Sequence, residues 1–265
     1  MELMDKHYYG DLCSLYYDID KPTAPSEELN YLLSFASKEM RILEPMCGSG
    51  RFIIPFVERG YPIDGFDVSK DMIARCRDKL RSMDSSSRID LCDFAAFDSN
   101  REPYDLIFIT AASFSLLTDR AVIDQALQMM KHSLKSSGRI VLSVITDLEY
   151  RNNSSSKVDE AKLESDAEHQ SKKVRKGSIE VVLKGDSTYD ADEQIQSSTL
   201  SYDLYVDGRY VHTEVEDINL RLYHPNELDD IVEQCGLQID HKYTNFDKNQ
   251  SDFLNADVIL YELRK

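Results

Sequence analysis

Five short apolar runs, each the length of a single strand, punctuate the first half of the chain at about 41–46, 61–68, 88–93, 104–111 and 139–146. The stretches between them carry helical spacing. In 69–80, Met72, Ile73, Cys76 and Leu80 fall on one face, with Ser69 placed to cap. In 119–135, Val122, Ile123, Ala126, Leu127, Met130 and Leu134 do the same, with Gly138 after the expected helix end. Strands that alternate with helices of this length predict right-handed βαβ crossovers and a mostly parallel sheet. Few other folds accept such a pattern, so the fold class is α/β.

The rhythm then breaks. Residues 151–177 are polar and almost free of apolar periodicity, which predicts a mobile loop or a weakly held helix. A β-rich stretch follows, in which Ile179, Val181 and Leu183, then Leu200, Tyr202, Leu204 and Val206, alternate with polar residues. Asp207-Gly208 before "RYVHTEV" is a hairpin signal. An antiparallel insertion of about three strands over 177–223 is expected. Helical spacing returns at 225–235, with Pro225 in the first turn and Gly236 past the end. Strands at about 237–246 and 256–264 close the pattern.

Charge and cysteine usage narrow the function classes. With 31 basic and 48 acidic residues the net charge is −17, which repels phosphate backbones and argues against nucleic acid. The basic cluster Lys172, Lys173, Arg175 and Lys176 has no interleaved aromatics and reads as a solvated face or lid. Five scattered cysteines form no CxxC pair, so neither a disulfide framework nor a zinc site is expected. The opening "MELMDKHYYGDL" does not read as a signal peptide, and no apolar run approaches the roughly 20 residues of a membrane span. A cytoplasmic protein is the expectation, without membrane or metal.

The chemistry is concentrated in "RILEPMCGSGRF", residues 41–52. Gly48 and Gly50 follow a strand and precede an apolar helix face of Phe52, Ile53, Phe56 and Val57, the layout of a nucleotide cradle. The second strand ends in Asp67, 19 residues after Gly48 (67 − 48), where a carboxylate can accept ribose hydroxyls. A dinucleotide would want a third glycine where Ile53 stands, and its pyrophosphate gains nothing from Glu44 before the turn. S-adenosylmethionine has no phosphate; its α-amino group and sulfonium are both positive, and Glu44 suits them.

Here "LEPMCGSGRF" followed by "GFDVSKDMIARCRDKL" resembles the first two motifs of the class I S-adenosylmethionine-dependent methyltransferases. "IDLCDF" resembles the third motif, "YDLIFITAASFSLL" the fourth-strand motif, "LKSSGRIVLSV" the segment into the fifth strand, and "LRLYHPNELDDIVEQCGL" the late helix. The opening "YYGDLCSLYYDIDKP" is similar to the N-terminal cap of small-molecule members. The resemblance covers about 1–146 and 219–265. It implies that Met46, Cys47, Gly48, Gly50 and Arg51 of the turn line the methionine part of the cofactor, and that Asp67 and Val68 hold its ribose. It places Met72 beside the same site, Asp93 at the adenine amino group and Phe94 at the ring edge. Ala111 and Ser113 would border the methyl group, and Tyr9 and Tyr17 would cover the cofactor. Ser49 stands where many members have Thr and keeps the hydroxyl.

Methyl transfer from a sulfonium needs alignment more than acid–base chemistry, so an obligatory catalytic residue is not required. His224 is the candidate base, with Arg221 and Tyr223 beside it as candidate substrate contacts. Cys47 has no His or Lys near it in sequence and reads as a small apolar filler rather than a nucleophile. The full expectation is a Rossmann-like seven-stranded, mostly parallel sheet with an antiparallel last strand, plus an antiparallel β insertion. Its parts are an N-terminal helical cap over 1–38, a methyltransferase domain over 39–150 and 219–265, and a linker and substrate cover over 151–218. The expected partner is a small-molecule methyl acceptor, with the insertion a candidate surface for a homodimer. The alternatives are a nicotinamide-dependent oxidoreductase and a non-catalytic cofactor-binding or dimerisation protein.

Overall fold

The computed structural model describes residues 9–98, 100–155, 171–244 and 246–265. Two sheets organise them. The larger has seven strands: β1 (Ile42–Pro45), β2 (Ile63–Asp67), β3 (Ile89–Leu91), β4 (Tyr104–Ile109), β5 (Leu134–Ile145), β10 (Gln238–Thr244) and β11 (Val258–Arg264), in the order β10-β11-β5-β4-β1-β2-β3. Pairings among β1 to β5 are parallel, and β11 runs antiparallel to both β5 and β10. The α/β expectation with a reversed last strand is met.

Burial explains why these runs become strands. β1 is buried along its whole length, as the centre of a sheet covered on both faces must be. Leu43 joins one apolar cluster with Ile107, Ile140 and Leu127, and Ile42 joins the other with Phe56, Phe108 and Ile73. The helices α2 (Ser26–Leu33), α3 (Ile53–Glu58), α4 (Lys70–Leu80), α5 (Arg120–Ser133) and, late in the chain, a helix at Glu227–Gln234 supply those layers. Ser69 caps α4 as expected, its Oγ accepting from the Met72 amide at 3.1 Å. One boundary differs. Strand β5 begins at Leu134, directly after α5, so Gly138 lies inside an extended segment instead of past a helix end. A Cβ there would stand 2.7 Å from the Leu134 side chain.

The second sheet is antiparallel, with four strands: β6 (Lys172–Lys176), β7 (Ile179–Asp190), β8 (Ile195–Val206) and β9 (Arg209–Arg221). The insertion therefore has one strand more than the alternation suggested. The polar run at 151–177 starts as the end of α6 (Leu148–Ser155) and finishes as β6, whose lysines and arginine zip against β7; 156–170 lie outside the described residues. Asp207-Gly208 makes the expected tight turn between β8 and β9, both residues with positive φ.

Helix α1 (Asp11–Asp20) joins the two sheets. Its inner face, Leu12, Cys13 and Tyr16, packs with Val181 and Tyr202 of the second sheet, and Tyr16 meets Tyr202 edge-on at 5.7 Å. Its amino end is held by β9 acids: Leu12 N donates to Glu214 at 2.8 Å, and Gly10 N to Glu216. Its other face is tied to α4, through Arg75 to Asp11 at 2.7 Å and Lys79 to Asp18 at 2.8 Å. No helix among the described residues is long and apolar enough to cross a membrane. Because Leu12 is 1% exposed, Leu12→Ala is expected to weaken this strap by about 2–5 kcal/mol. Hydrogen exchange should then quicken in α1 while β1 and β4 keep their protection.

Candidate functional site

Strand order reverses between β1 and β4, and the carboxyl ends of these two strands open a crevice where open α/β sheets hold ligands. The turn after β1 enters it. Met46, Gly48 and Gly50 all have left-handed backbone, with φ of 57°, 52° and 84°. Gly50 could not be otherwise, since a Cβ there would lie 2.7 Å from Cys76 Sγ. Cys47 is 4% exposed, donates its amide to Phe66 O at 3.0 Å, and points its thiol at Gly65, where a Cβ would be 3.0 Å away. Its contact with the neighbouring Cys76 thiol, and then burial, push its pKa well above the ordinary thiol value. A thiol so placed packs and does not attack.

Asp67 locks this turn. Its Oδ2 accepts from Gly48 N and its Oδ1 from Ser69 N, both at 2.9 Å. Burial raises its pKa above the ordinary carboxylate value, and these backbone bonds oppose the rise. Each oxygen keeps a further lone pair for a ligand hydroxyl. Val68 beside it is 51% exposed, facing outward from the strand end. Met72 is buried, its sulfur 3.8 Å from the position of a Cβ on Gly48, so it forms the floor under the turn.

Glu44 is the residue with the most unusual surroundings. It is 1% exposed; Oε1 accepts from Thr110 Oγ1 at 2.9 Å, and Oε2 is buried without a hydrogen-bond partner. Desolvation, with Glu28 and Asp67 close by, pushes its pKa well above the ordinary carboxylate value. Glu28 of α2 is itself 5% exposed, accepts from Ala111 N at 2.7 Å, and titrates high because it is buried. Three acids thus converge where a cation would relieve them.

The remaining candidates arrange around this centre. Tyr17 of α1 meets Arg51, whose Nη1 donates to its hydroxyl at 3.4 Å; burial beside Glu44 and Glu28 raises its pKa. Arg51 Nε also donates to Thr23 O at 2.9 Å. Tyr9 O accepts from Ser69 Oγ at 2.9 Å, and its phenol is electrostatically coupled to Tyr17 and Asp67. Asp93 follows β3 and caps a turn through Ala96 N at 2.7 Å, while Phe94 is buried edge-on against Phe66 at 5.3 Å. Ala111 and Ala112 carry positive φ of 53° and bend the chain after β4 into a 3-10 helix, Ser113–Leu116, against which β9 lies.

The residues near the end of the second sheet form a separate corner. Arg221 is paired with Glu227 and donates to Gln194 at 3.2 Å, so its charge is engaged within the protein. Tyr223 is 1% exposed, and its amide donates to Ile145 O at 2.9 Å. His224 Nδ1 lies 2.7 Å from Oδ2 of Asp147, a buried acid just past β5. His212 is exposed in β9, 3.8 Å from Glu214. Sequence reasoning missed Glu28, Thr110 and Asp147. Asp147 stands right after an apolar strand, as Asp67 does, and that position was a usable signal; the helix acid Glu28 carried none.

Comparison with known proteins agrees with this geometry. Residues 42–138 match a family model described as a methyltransferase domain. Over those residues, about a third of its length, the chain is similar to a methyltransferase domain. A putative methyltransferase, YqeM of Bacillus subtilis, is 21% identical over 138 residues; the match covers 51% of this chain and 55% of that protein, about half its length. Among solved structures, the CcbJ methyltransferase of Streptomyces caelestis superposes with a TM-score of 0.73 at 18% identity, over 98% of both chains. CalS10 of Micromonospora echinaspora, an amino pentose methyltransferase solved with S-adenosylmethionine bound, gives 0.66 at 16% identity, over 98% and 99% of the two chains. The two superpositions show that the seven-stranded sheet, the N-terminal helix and the second sheet share one fold with those structures.

An acid whose folded-state pKa is raised costs stability once the pH exceeds its unfolded value, so Glu44 should make the ligand-free protein less stable as pH climbs from about 4.5 through its elevated folded value. Glu44→Gln is expected to raise the melting temperature of the ligand-free protein at pH 7 to 8 and to flatten that decline, measured by calorimetry across pH.

Proposed function

We propose that this chain transfers the methyl group of S-adenosylmethionine to a small-molecule acceptor. The observation that carries the reading is the buried, unpartnered Oε2 of Glu44 beside the left-handed turn, with Glu28 and Asp67 adding negative charge. That donor set fits a ligand with an α-amino group and a sulfonium, and it repels a pyrophosphate. Ile53, fully buried where a dinucleotide fingerprint needs glycine, argues the same way against a nicotinamide cofactor.

The cofactor supplies an electrophilic methyl carbon on a positively charged sulfur. Glu44 would receive its amino group, directly or through a water, and Asp67 its ribose hydroxyls. The backbone from Met46 to Arg51 would line the methionine portion, with Met72 beneath. Asp93 and Phe94 would flank the adenine, Val68 its ribose side, and Tyr9 and Tyr17 would close over it. Ala111 and Ser113 would border the methyl carbon, with His224 toward the acceptor and, behind it, the buried Tyr223 and Arg221, which is held by Glu227 and Gln194. Orientation of the two reactants in such a crevice is worth roughly 7–11 kcal/mol.

An amine- or hydroxyl-bearing sugar is the acceptor class supported by the amino pentose methyltransferase among the structural relatives. The second sheet and α1 would roof it. A reducing, cytoplasmic setting is supported by the five unpaired thiols.

The cofactor or S-adenosylhomocysteine at about 100 times Kd should stabilise the protein by about 2.7 kcal/mol. Asp67→Ala is expected to weaken calorimetric binding at least about tenfold, about 1.4 kcal/mol. Wild-type protein that gives neither heat nor a melting shift at millimolar cofactor would refute the assignment.

A further inference from the structure

The corner past β5 holds an imidazole that the cofactor crevice does not use. Asp147 is 2% exposed, and its Oδ1 is bound by Arg151 Nε at 2.6 Å, so it is the anionic half of an ion pair. Its Oδ2 faces His224 Nδ1 at 2.7 Å. An ionised carboxylate only accepts, so Nδ1 must be the donor. The neutral ring then carries its free lone pair on Nε2. The His224 side chain is 54% exposed, so that nitrogen is reachable.

Its place relative to the crevice follows from the strands. Thr146 pairs with Tyr223, and Tyr223 N donates to Ile145 O at 2.9 Å, which sets His224 directly past the carboxyl end of β5. β5 is cross-tied to the bend after β4: Ala112 N donates to Ser143 Oγ at 3.1 Å and Ile145 N to Ser115 Oγ at 2.9 Å. His224 and the bend at Ala111 and Ala112 are thus both tied to the carboxyl-terminal part of β5. Other charged or titratable groups face this corner too. Glu227 Oε2 accepts from His224 N at 3.0 Å, and Tyr189 of β7, stacked on Tyr150 at 4.2 Å, is coupled electrostatically to Asp147 and Glu227.

We propose that Asp147 is a positioning residue that holds His224 with Nε2 unprotonated toward the acceptor, and that His224 takes the proton the acceptor sheds on methylation. This rests on the methyltransferase reading above. In the step, the acceptor's lone pair forms the new bond to the methyl carbon and the carbon–sulfur bond breaks, its electrons passing to sulfur. The acceptor's proton moves to Nε2, the imidazolium is stabilised by Asp147, and solvent then removes the proton from the exposed ring. Positioned acid–base groups contribute about 10²–10⁴-fold. Asp147 would also select amine or hydroxyl acceptors, which have a proton to lose, over acceptors that have none.

Nitrogen-15 NMR of the imidazole, recorded on the full chain with S-adenosylhomocysteine bound, tests the pair without any acceptor. The expected spectrum has the neutral His224 ring protonated on Nδ1, with Asp147→Asn shifting protons to Nε2. Label transfer from radiolabelled S-adenosylmethionine to a desalted small-molecule cell extract supplies the second readout. His224→Gln should lose about 10²-fold or more in kcat and Asp147→Asn about tenfold or more, each with KM for the cofactor unchanged. Calorimetry with S-adenosylhomocysteine confirms that both variants remain folded. A wild-type ring protonated on Nε2, or a His224→Gln variant that labels the extract at the wild-type rate, overturns the proposal, as does a wild-type chain that labels nothing. Failure of the wild-type chain to bind S-adenosylhomocysteine would instead overturn the methyltransferase reading.

Discussion

The geometry of the cofactor crevice depends on one carboxylate gripping a turn that could not hold its shape alone. Asp67 closes β2 and fastens the amide of Gly48, 19 residues earlier, and that of Ser69, two residues later. Backbone with positive φ at Met46, Gly48 and Gly50 is costly without such a clamp. With it, the turn runs on from the buried Glu44 and rests on Met72. The bond also ties β1 and β2 together at their carboxyl ends, where the parallel ladder stops.

The second dependence is the strap formed by α1. A helix of 10 residues fastens to the second sheet with apolar side chains and to α4 with ion pairs. Exposed ion pairs are worth little singly, so the apolar face carries most of the attachment. The donor side and the roof thus share an element, and Tyr17 on that element reaches the same acids that surround Glu44.

Much of this was legible in the residues. Parallel strands announced themselves as short apolar runs because both faces of the sheet are covered, and Gly48, Gly50 and Asp67 followed from the demands of a nucleotide-sized ligand. Boundaries were less legible: α5 passes into β5 without a loop, so Leu134 satisfied both the helical count and the strand. β6 was hidden because an edge strand made of Lys172, Lys173, Arg175 and Lys176 has no apolar alternation to read. Long-range partners were invisible for another reason. Glu28 and Ala111 are 83 positions apart and Asp147 and His224 are 77 apart, and nothing local in a chain encodes such a meeting.

That cationic edge strand also bears on how the chain behaves in a crowded solution. β6 is the outermost member of the second sheet, with no further strand beside it among the described residues. An unprotected edge invites a neighbouring chain to add a strand and begin an aggregate. Here a like edge from another copy would have to bring four more positive side chains alongside the first four, at a strand separation of about 4.8 Å. Like charge on such a run disfavours strand addition by a second copy along this edge.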